Sequence, residues 1–557
     1  MEVDYKAMTF AFLGGLALLM FGLKFMSSAL QEVAGDKMRT ILEQGTKSPV
    51  RGVLTGMTVT ALIQSSTATT ILTVGLVNAQ LLTLRQAIGV IMGANIGTTI
   101  TVYLIGFNLG DYALPIIAAG VIAYIFFDNK KVQLIGQVVL GIGVLFFGLN
   151  IMGDGLAPLK DVPAFTNLML SIEDNAFWGV IVGMIFTAAV HASSATIGVL
   201  QELAYQGAIT YHQAVPILCG DNIGTTITAL LVAFGTGVAA KRAALTHFMF
   251  NLIGCLIFLP LFVSGIAEKA IIFFTNYLFI LIPGNVGWDA LNIKLQIAQT
   301  HLFFNLSNTL IQLPFVAVLA CIVTRLIPDS KKEAALDALR TIYIDKRFLA
   351  NPSVALAQAT RETLRMGEMA IEAFKNAMDY FDKRSKNLQQ KGEQIEDFVN
   401  YMEREITDFI VLASESRLSK EDSYQSYALL QSINDIESIA DLCKNIMELA
   451  DYADRHQVVF SGEAKEELGR MIDVTKETLQ LTLETLEKKD KNTALKVMHN
   501  EEILDEMQLE YRRAHIRRLN EHVCNGNNGA VFLDVLGNLE RIGDLSRNIV
   551  GYSLGEI

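Results

Sequence analysis

Gln64-Ser65-Ser66-Thr67-Ala68-Thr69-Thr70 and His191-Ala192-Ser193-Ser194-Ala195-Thr196 are two runs of hydroxyl residues set inside apolar sequence. Each is followed at the same distance by a second signature, Gly93-Ala94-Asn95-Ile96-Gly97-Thr98-Thr99 and Gly220-Asp221-Asn222-Ile223-Gly224-Thr225-Thr226. An offset of 127 aligns 52–107 with 179–234 without a gap, and 23 of the 56 pairs are identical. That agreement marks an internal duplication. Paired polar breaks in two hydrophobic halves point to the substrate site of a transporter.

The net charge of -12 conceals two unlike parts. Residues 1–330 carry 15 Lys+Arg and 16 Asp+Glu, whereas 331–557 carry 30 and 41. A soluble domain of that length cannot be so poor in charge. The chain therefore reads as a transmembrane transport domain over 1–330, a linker over 331–344 and a soluble acidic helical domain over 345–557. An acidic domain offers no basic face to nucleic acid. The five cysteines, Cys219, Cys255, Cys321, Cys443 and Cys524, form no CxxC pair and read as reduced packing residues. The first apolar segment, about 8–33, is long enough to be a retained helix rather than a cleaved leader.

Apolar spans fit near 8–33, 84–107, 112–127, 133–152, 210–235, 243–264 and 298–325, with the hydroxyl runs inside 52–80 and 179–207. The loop before the first run contains Lys37, Arg39, Lys47 and Arg51; its counterpart, 161–178, contains Asp161, Glu173 and Asp174 and no Lys or Arg. Positive loops stay in the cytoplasm, so the two copies, about 8–107 and 134–234, face opposite ways. Extra helices follow over 240–327. Phe21-Gly22-Leu23 and Phe147-Gly148-Leu149 extend the duplication backwards. Lys130-Lys131 and Lys241-Arg242 fall inside only if 52–80 and 179–207 each enter and leave on one side. Both are therefore expected to be re-entrant helical hairpins, lining protein or a water-filled cavity. Residues 266–296 fit a hairpin or an interfacial helix, with Pro283-Gly284-Asn285 as its turn.

Hairpin tips expose backbone N–H and C=O groups, to which Ser, Thr, Gln and Asn add donors and acceptors. Helix N-termini favour an anion, and hydroxyl and carbonyl oxygens suit a hard cation such as Na+. QSSTAT followed by GANIGTT, with the second copy ending in DNIGTT, resembles the type II sodium–phosphate cotransporter family, over about 10–325. The resemblance implies Na+-coupled transport of inorganic phosphate. It implies phosphate contacts from Gln64, Ser65, Ser66 and Thr67 and from Ser193 and Ser194. It implies Na+ contacts from Asn95, Thr98, Thr99, Asn222, Thr225 and Thr226. Two positions depart from the family pattern. His191-Ala192 stands for Gln-Ser, so His191 is open to a hydrogen-bonding role or a substrate- or proton-linked one. Asp221 replaces a small residue, as a cation ligand or as an acid just outside the hydrocarbon.

The acidic part is helical from about 345. Glu437-Ser438-Ile439-Ala440-Asp441 and Glu540-Arg541-Ile542-Gly543-Asp544 repeat an ExxxD spacing, which places two carboxylates one turn apart on a helix face. With the surrounding Ser432–Glu437 and Leu536–Asp544, these stretches resemble the signature helices of PhoU-like domains. Two tandem three-helix bundles are implied. Glu437, Asp441, Glu540 and Asp544 are then either divalent-metal ligands or solvated carboxylates. The whole reads as an all-α polytopic protein of the bacterial plasma membrane with a cytoplasmic PhoU-like domain, not an enzyme. Its partners would be inorganic phosphate, Na+ and the lipid bilayer, with a homodimer as the candidate assembly. The expected activity is Na+-coupled phosphate transport. Phosphate export on the same fold, or phosphate sensing without transport, are the alternatives.

Overall fold

A computed structural model describes residues 4–34, 41–42, 45–107, 109–234, 236–281, 285–328, 341–349, 352–415, 418–524 and 526–555. The chain divides into two compact units, Met1–Asp329 and Ser330–Ile557. Lys37, Arg39, Pro283 and Gly284, which figure in the charge and turn expectations, lie outside the described residues.

The first unit is all helix. Its first half runs α1 (Tyr5–Ala34), α2 (Pro49–Ile63), α3 (Ser66–Asn78), α4 (Leu84–Gly106) and α5 (Ala113–Ile125). The second half runs α6 (Lys130–Leu156), α7 (Pro163–Asp174), α8 (Ala176–Val190), α9 (Ser193–Tyr205), α10 (Tyr211–Gly224) and α11 (Thr226–Ala233), of which α6, α8, α9 and α10 match α1 to α4. Then come α12 (Val238–Val263), α13 (Ile266–Phe273), α14 (Ile293–Gln312) and α15 (Val316–Leu326). Among the described residues six helical stretches are long and apolar enough to cross a membrane: Tyr5–Val33, Leu84–Gly106, Lys130–Asp161, Tyr211–Ala233, Val238–Val263 and Ile293–Leu326. The span expected at 112–127 is α5, with 13 residues. At 1.5 Å per residue it is about 20 Å long, short of a hydrocarbon core of about 30 Å.

Each hydroxyl segment is a pair of helices with a break at the run, and the caps match between copies. Thr83 and Gln86 form a capping box at the start of α4, and Thr210 and Gln213 form the same box at the start of α10. The packing matches too. A Cβ on Gly56 would strike the carbonyl oxygen of Val90, and one on Gly93 that of Val53. In the second copy Gly183 meets the carbonyl of Ile217 in the same way, and Gly220 that of Val180. Small residues let α2 lie directly on α4, and α8 on α10, at backbone contact. Gly15 packs against Gly148 and Gly22 against Gly141, so α1 and α6 present the same surface to each other. Large apolar side chains such as Phe10, Ile122, Leu256, Leu310 and Phe315 stand exposed on the outside, as lipid-facing positions do.

Between α12 and α14 the chain makes a π turn at Phe274–Leu278 and 3-10 turns at Phe279–Leu281 and Trp288–Ala290. Asn285 Nδ2 donates to the carbonyl of Phe279 at 2.9 Å.

The second unit consists of two groups of three long helices. The first is α16 (Pro352–Lys383), α17 (Lys386–Ser414) and α18 (Lys420–Arg455); the second is α19 (Gly462–Lys488), α20 (Lys491–Asn520) and α21 (Gly526–Leu554). Within each group every helix packs on the other two. Ile406, Ile433, Ile446, Leu504, Leu539 and Ile542 belong to one apolar core that runs through both groups.

Candidate functional site

The site is built from two chain breaks. Helix α2 ends at Gln64 with φ 55°, and α8 ends at His191 with φ 57°. Left-handed backbone is uncommon outside glycine and concentrates at functional sites. The next residue is extended in both copies, Ser65 at φ −150° and Ala192 at φ −147°, and a new helix starts at Ser66 or Ser193. One threonine of the following segment holds each corner. Thr101 Oγ1 donates to Gln64 Oε1 at 2.9 Å, and Thr228 Oγ1 lies 3.3 Å from His191 Nδ1. Thr101 and Thr228 are themselves a pair at offset 127.

The breaks converge on a cavity of about 10 Å³ lined by Ser66, Asn95, Thr98, Ser193, Asn222, Thr225 and His301. Six of these seven are three pairs at offset 127: Ser66 with Ser193, Asn95 with Asn222, Thr98 with Thr225. All the lining residues except Thr225 are at least nine-tenths buried. The void accommodates about one water-sized group. A five-atom oxyanion would need the helices around it to part.

The other expected site residues lie around this centre. Gln64 and His191 form the corners, His191 exposed and Gln64 half-buried. Ser65 caps α3 by accepting from Ala68 N, whereas Ala192 has no side chain to cap α9. Thr67 and Ser194 are half-buried, one residue past the lining serines. Thr99 and Thr226 donate to the carbonyls of Ile96 and Ile223 in their own segments, at 2.6 and 2.7 Å. Asp221 accepts from Thr187 Oγ1 at 2.6 Å, and its Oδ2 is buried without a partner. In the first copy, which has Ala94 there, Thr60 instead meets Thr69 at 2.9 Å.

Residues outside the duplicated stretch also reach the centre. His301 lines the cavity from α14, and His247 lies 3.3 Å from Asn95 Oδ1 across from α12. Their shared signal in the sequence is a second repeat, at an offset of 54.

In the second unit burial first, then the charges of Asp441 and of Glu403 and Glu396 on α17, raise the Glu437 carboxyl. Asp544 meets Glu501 and Asp505 of α20, with one ligand atom of each within 4.8 Å of the others. Three carboxylates suit a hard divalent cation. Glu540 is not in that group. Burial first, then Asp505 and Glu501, raise the Asp544 carboxyl. Arg547 Nη1 holds Glu501 Oε1 at 2.8 Å. Glu501 and Asp505 have the same four-residue spacing as the expected pairs, which was the signal available for them.

The model of the Na+/Pi-cotransporter family matches residues 18–154 and 161–281, and that of the PhoU domain matches 363–450 and 468–552. The chain joins a Na+/Pi-cotransporter family domain to a PhoU domain. Each matched stretch of the first unit contains one hydroxyl run. Helical bundles of the PhoU type follow it, and the whole is a multi-pass protein of the bacterial inner membrane whose C-terminal domain is cytoplasmic. A protein of Escherichia coli K12 named for inorganic phosphate export, YjbB, is 26% identical over 550 residues, covering 98% of this chain and 97% of its own. YqeW of Bacillus subtilis is 28% identical over 326 residues, 58% of this chain and 98% of its own. Human sodium-dependent phosphate transport protein 2B is 42% identical over 91 residues, 16% of this chain and 13% of its own.

Proposed function

We propose that residues 1–330 carry inorganic phosphate across the inner membrane by alternating access, that net flux is outward, and that the PhoU-like bundles of 345–557 regulate it. The observation that carries this reading is the cavity lined by three pairs of duplicated polar residues. Ser66 and Ser193 are the first residues of α3 and α9, so two helix N-termini meet there. Their partial positive charge favours an oxyanion. On this reading the hydroxyl runs bind phosphate, and the oxygens of Asn95, Thr98, Asn222 and Thr225 hold Na+. Gln64 and His191 shape the corners, and Asp221 braces Thr187. The two copies lie in the membrane in opposite orientations, each hairpin entering and leaving by one side.

The outward direction is supported by the export relative, which aligns over nearly the whole chain, and by electrostatics. A potential of 100 mV, inside negative, is worth about 2.3 kcal/mol per charge, so a divalent phosphate gains about 4.6 kcal/mol on leaving. Each Na+ travelling with it cancels one charge. With one Na+ or none per phosphate the potential still drives export; with two or more, the Na+ gradient drives uptake. The relationship to the human sodium-dependent protein favours uptake as a second reading. Phosphate flux and charge movement in proteoliposomes separate the two. Export predicts efflux that rises with an inside-negative potential at equal Na+. Uptake driven by Na+, either insensitive to voltage or accelerated by an inside-negative potential, would replace it, and no phosphate movement would sink both.

A further inference from the structure

Helices α12 and α14 carry a second duplication, Thr246-His247-Phe248-Met249-Phe250-Asn251 and Thr300-His301-Leu302-Phe303-Phe304-Asn305. At an offset of 54, nine of the fifteen positions 246–260 are identical in 300–314. α12 packs on α3 and α4 of the first copy and on α10 of the second; α14 packs on α9 and α10 of the second copy and on α4 of the first. Each brings its histidine to the asparagine of the copy it serves.

The hydrogen bonds have only one consistent direction. A carbonyl oxygen only accepts, so Asn251 Nδ2 donates to the His247 carbonyl at 3.2 Å, and Asn251 Oδ1 is left as an acceptor. Asn95 must then present its Nδ2 to Asn251, at 2.7 Å, and turn its Oδ1 to His247 Nε2, at 3.3 Å. In the second copy Asn222 Nδ2 donates to the Leu218 carbonyl at 3.0 Å, which turns its Oδ1 to His301 Nε2 at 3.4 Å. Both imidazoles therefore carry a hydrogen on Nε2, and both asparagine oxygens are held by it. An amide oxygen has two lone pairs; the histidine takes one and leaves the other for a cation.

We infer that His247 and His301 are positioning residues that orient the Asn95 and Asn222 oxygens toward the coupling cation, an inference that rests on the cation role of these asparagines. Partners that orient a ligand typically change ion affinity by about tenfold or more when removed. The test is phosphate flux at varied Na+ in proteoliposomes of the full chain. His247→Ala and His301→Ala should raise the Na+ needed for half-maximal flux about tenfold. The phosphate needed at saturating Na+ should stay nearly the same. His→Gln at each position, which keeps an N–H donor, should recover most of the loss. Asn251→Leu, which frees the Asn95 amide while leaving both histidines, gives a second route to the same Na+ shift. Alanine and glutamine variants that lower maximal flux alike, with unchanged Na+ dependence, would overturn the inference. Asn95→Ala and Asn222→Ala isolate the underlying reading. If these too leave Na+ dependence unchanged, the cation assignment fails; if they shift it and the histidine variants do not, only the positioning role fails.

Discussion

Glu202→Gln should destabilise the first unit by about 3–5 kcal/mol, because it strands a buried ammonium without its counter-charge. Lys294 Nζ lies 2.6 Å from Glu202 Oε2, with only 7% and 5% of the two side chains exposed. The remaining Glu202 oxygen accepts from Gln206 at 2.8 Å, and the Lys294 ammonium stands 4.4 Å over the Tyr205 ring. Gln201 Nε2 also ties α9 to the Lys294 carbonyl at 2.7 Å. Loss of the negative charge beside the ammonium is the main perturbation. The pair joins the end of α9, whose first residue lines the cavity, to the start of α14, which carries His301. Thermal unfolding of the purified full chain in detergent should fall by roughly 5–15 °C, at a few degrees per kcal/mol. The double variant Glu202→Leu/Lys294→Met removes both charges and should recover most or all of that loss, since an apolar pair costs no desolvation. A Glu202→Gln protein as stable as the parent would refute the reasoning, as would a double variant no better than the single one.

Gly183→Val should cost at least about 1–3 kcal/mol, because its Cβ strikes the Ile217 carbonyl; folded yield and melting temperature of the full chain check it, with Gly207→Val, in open space but at positive φ, as the backbone-strain comparison. The Asp435 carboxyl is pushed up to about 6 by burial, so folding favours its protonated form. That contribution is full below the unfolded value of about 4 and is lost as pH rises through about 6. Asp435→Asn should therefore raise stability at pH 7 by about 1–3 kcal/mol and flatten the pH profile of melting; equal profiles for the two proteins would discount the shift. The raised Asp544 carboxyl has the same sign. Its repulsion with Glu501 and Asp505 should weaken the C-terminal bundles as pH climbs from acid to neutral. Added Mn2+ or Mg2+ should restore them in the parent, and much less in Asp544→Asn.

The sequence-based reading went furthest where a one-dimensional pattern carries the physics. Charge density separates the two units, since ions are expelled from hydrocarbon and tolerated in water. The 127-residue offset marks Ser66 and Ser193, Asn95 and Asn222, Thr98 and Thr225 as candidates. It does not distinguish them from Thr99 or Thr226, which share the motifs but donate to carbonyls of their own segments. The apolar stretch 112–127 outruns its helix, α5, by two residues, because the helix stops at Ile125. His301 and Asn305 stand one turn apart in the sequence, and the matching Thr246–Asn251 stretch lies at an offset of 54, outside the main repeat.

The duplication, the membrane and soluble parts, and the polar residue types at the two breaks follow from the sequence by itself, because identity and hydropathy are properties of the chain in order. Which hydroxyls face one another, and which histidine reaches which asparagine, only the tertiary structure decides. A side chain's direction on a helix follows from its position in the turn, but its partner follows from how that helix is rotated and packed against the next. The backbone contacts at Gly56, Gly93, Gly183 and Gly220 set that rotation, and through it bring residues more than a hundred positions apart to a single cavity.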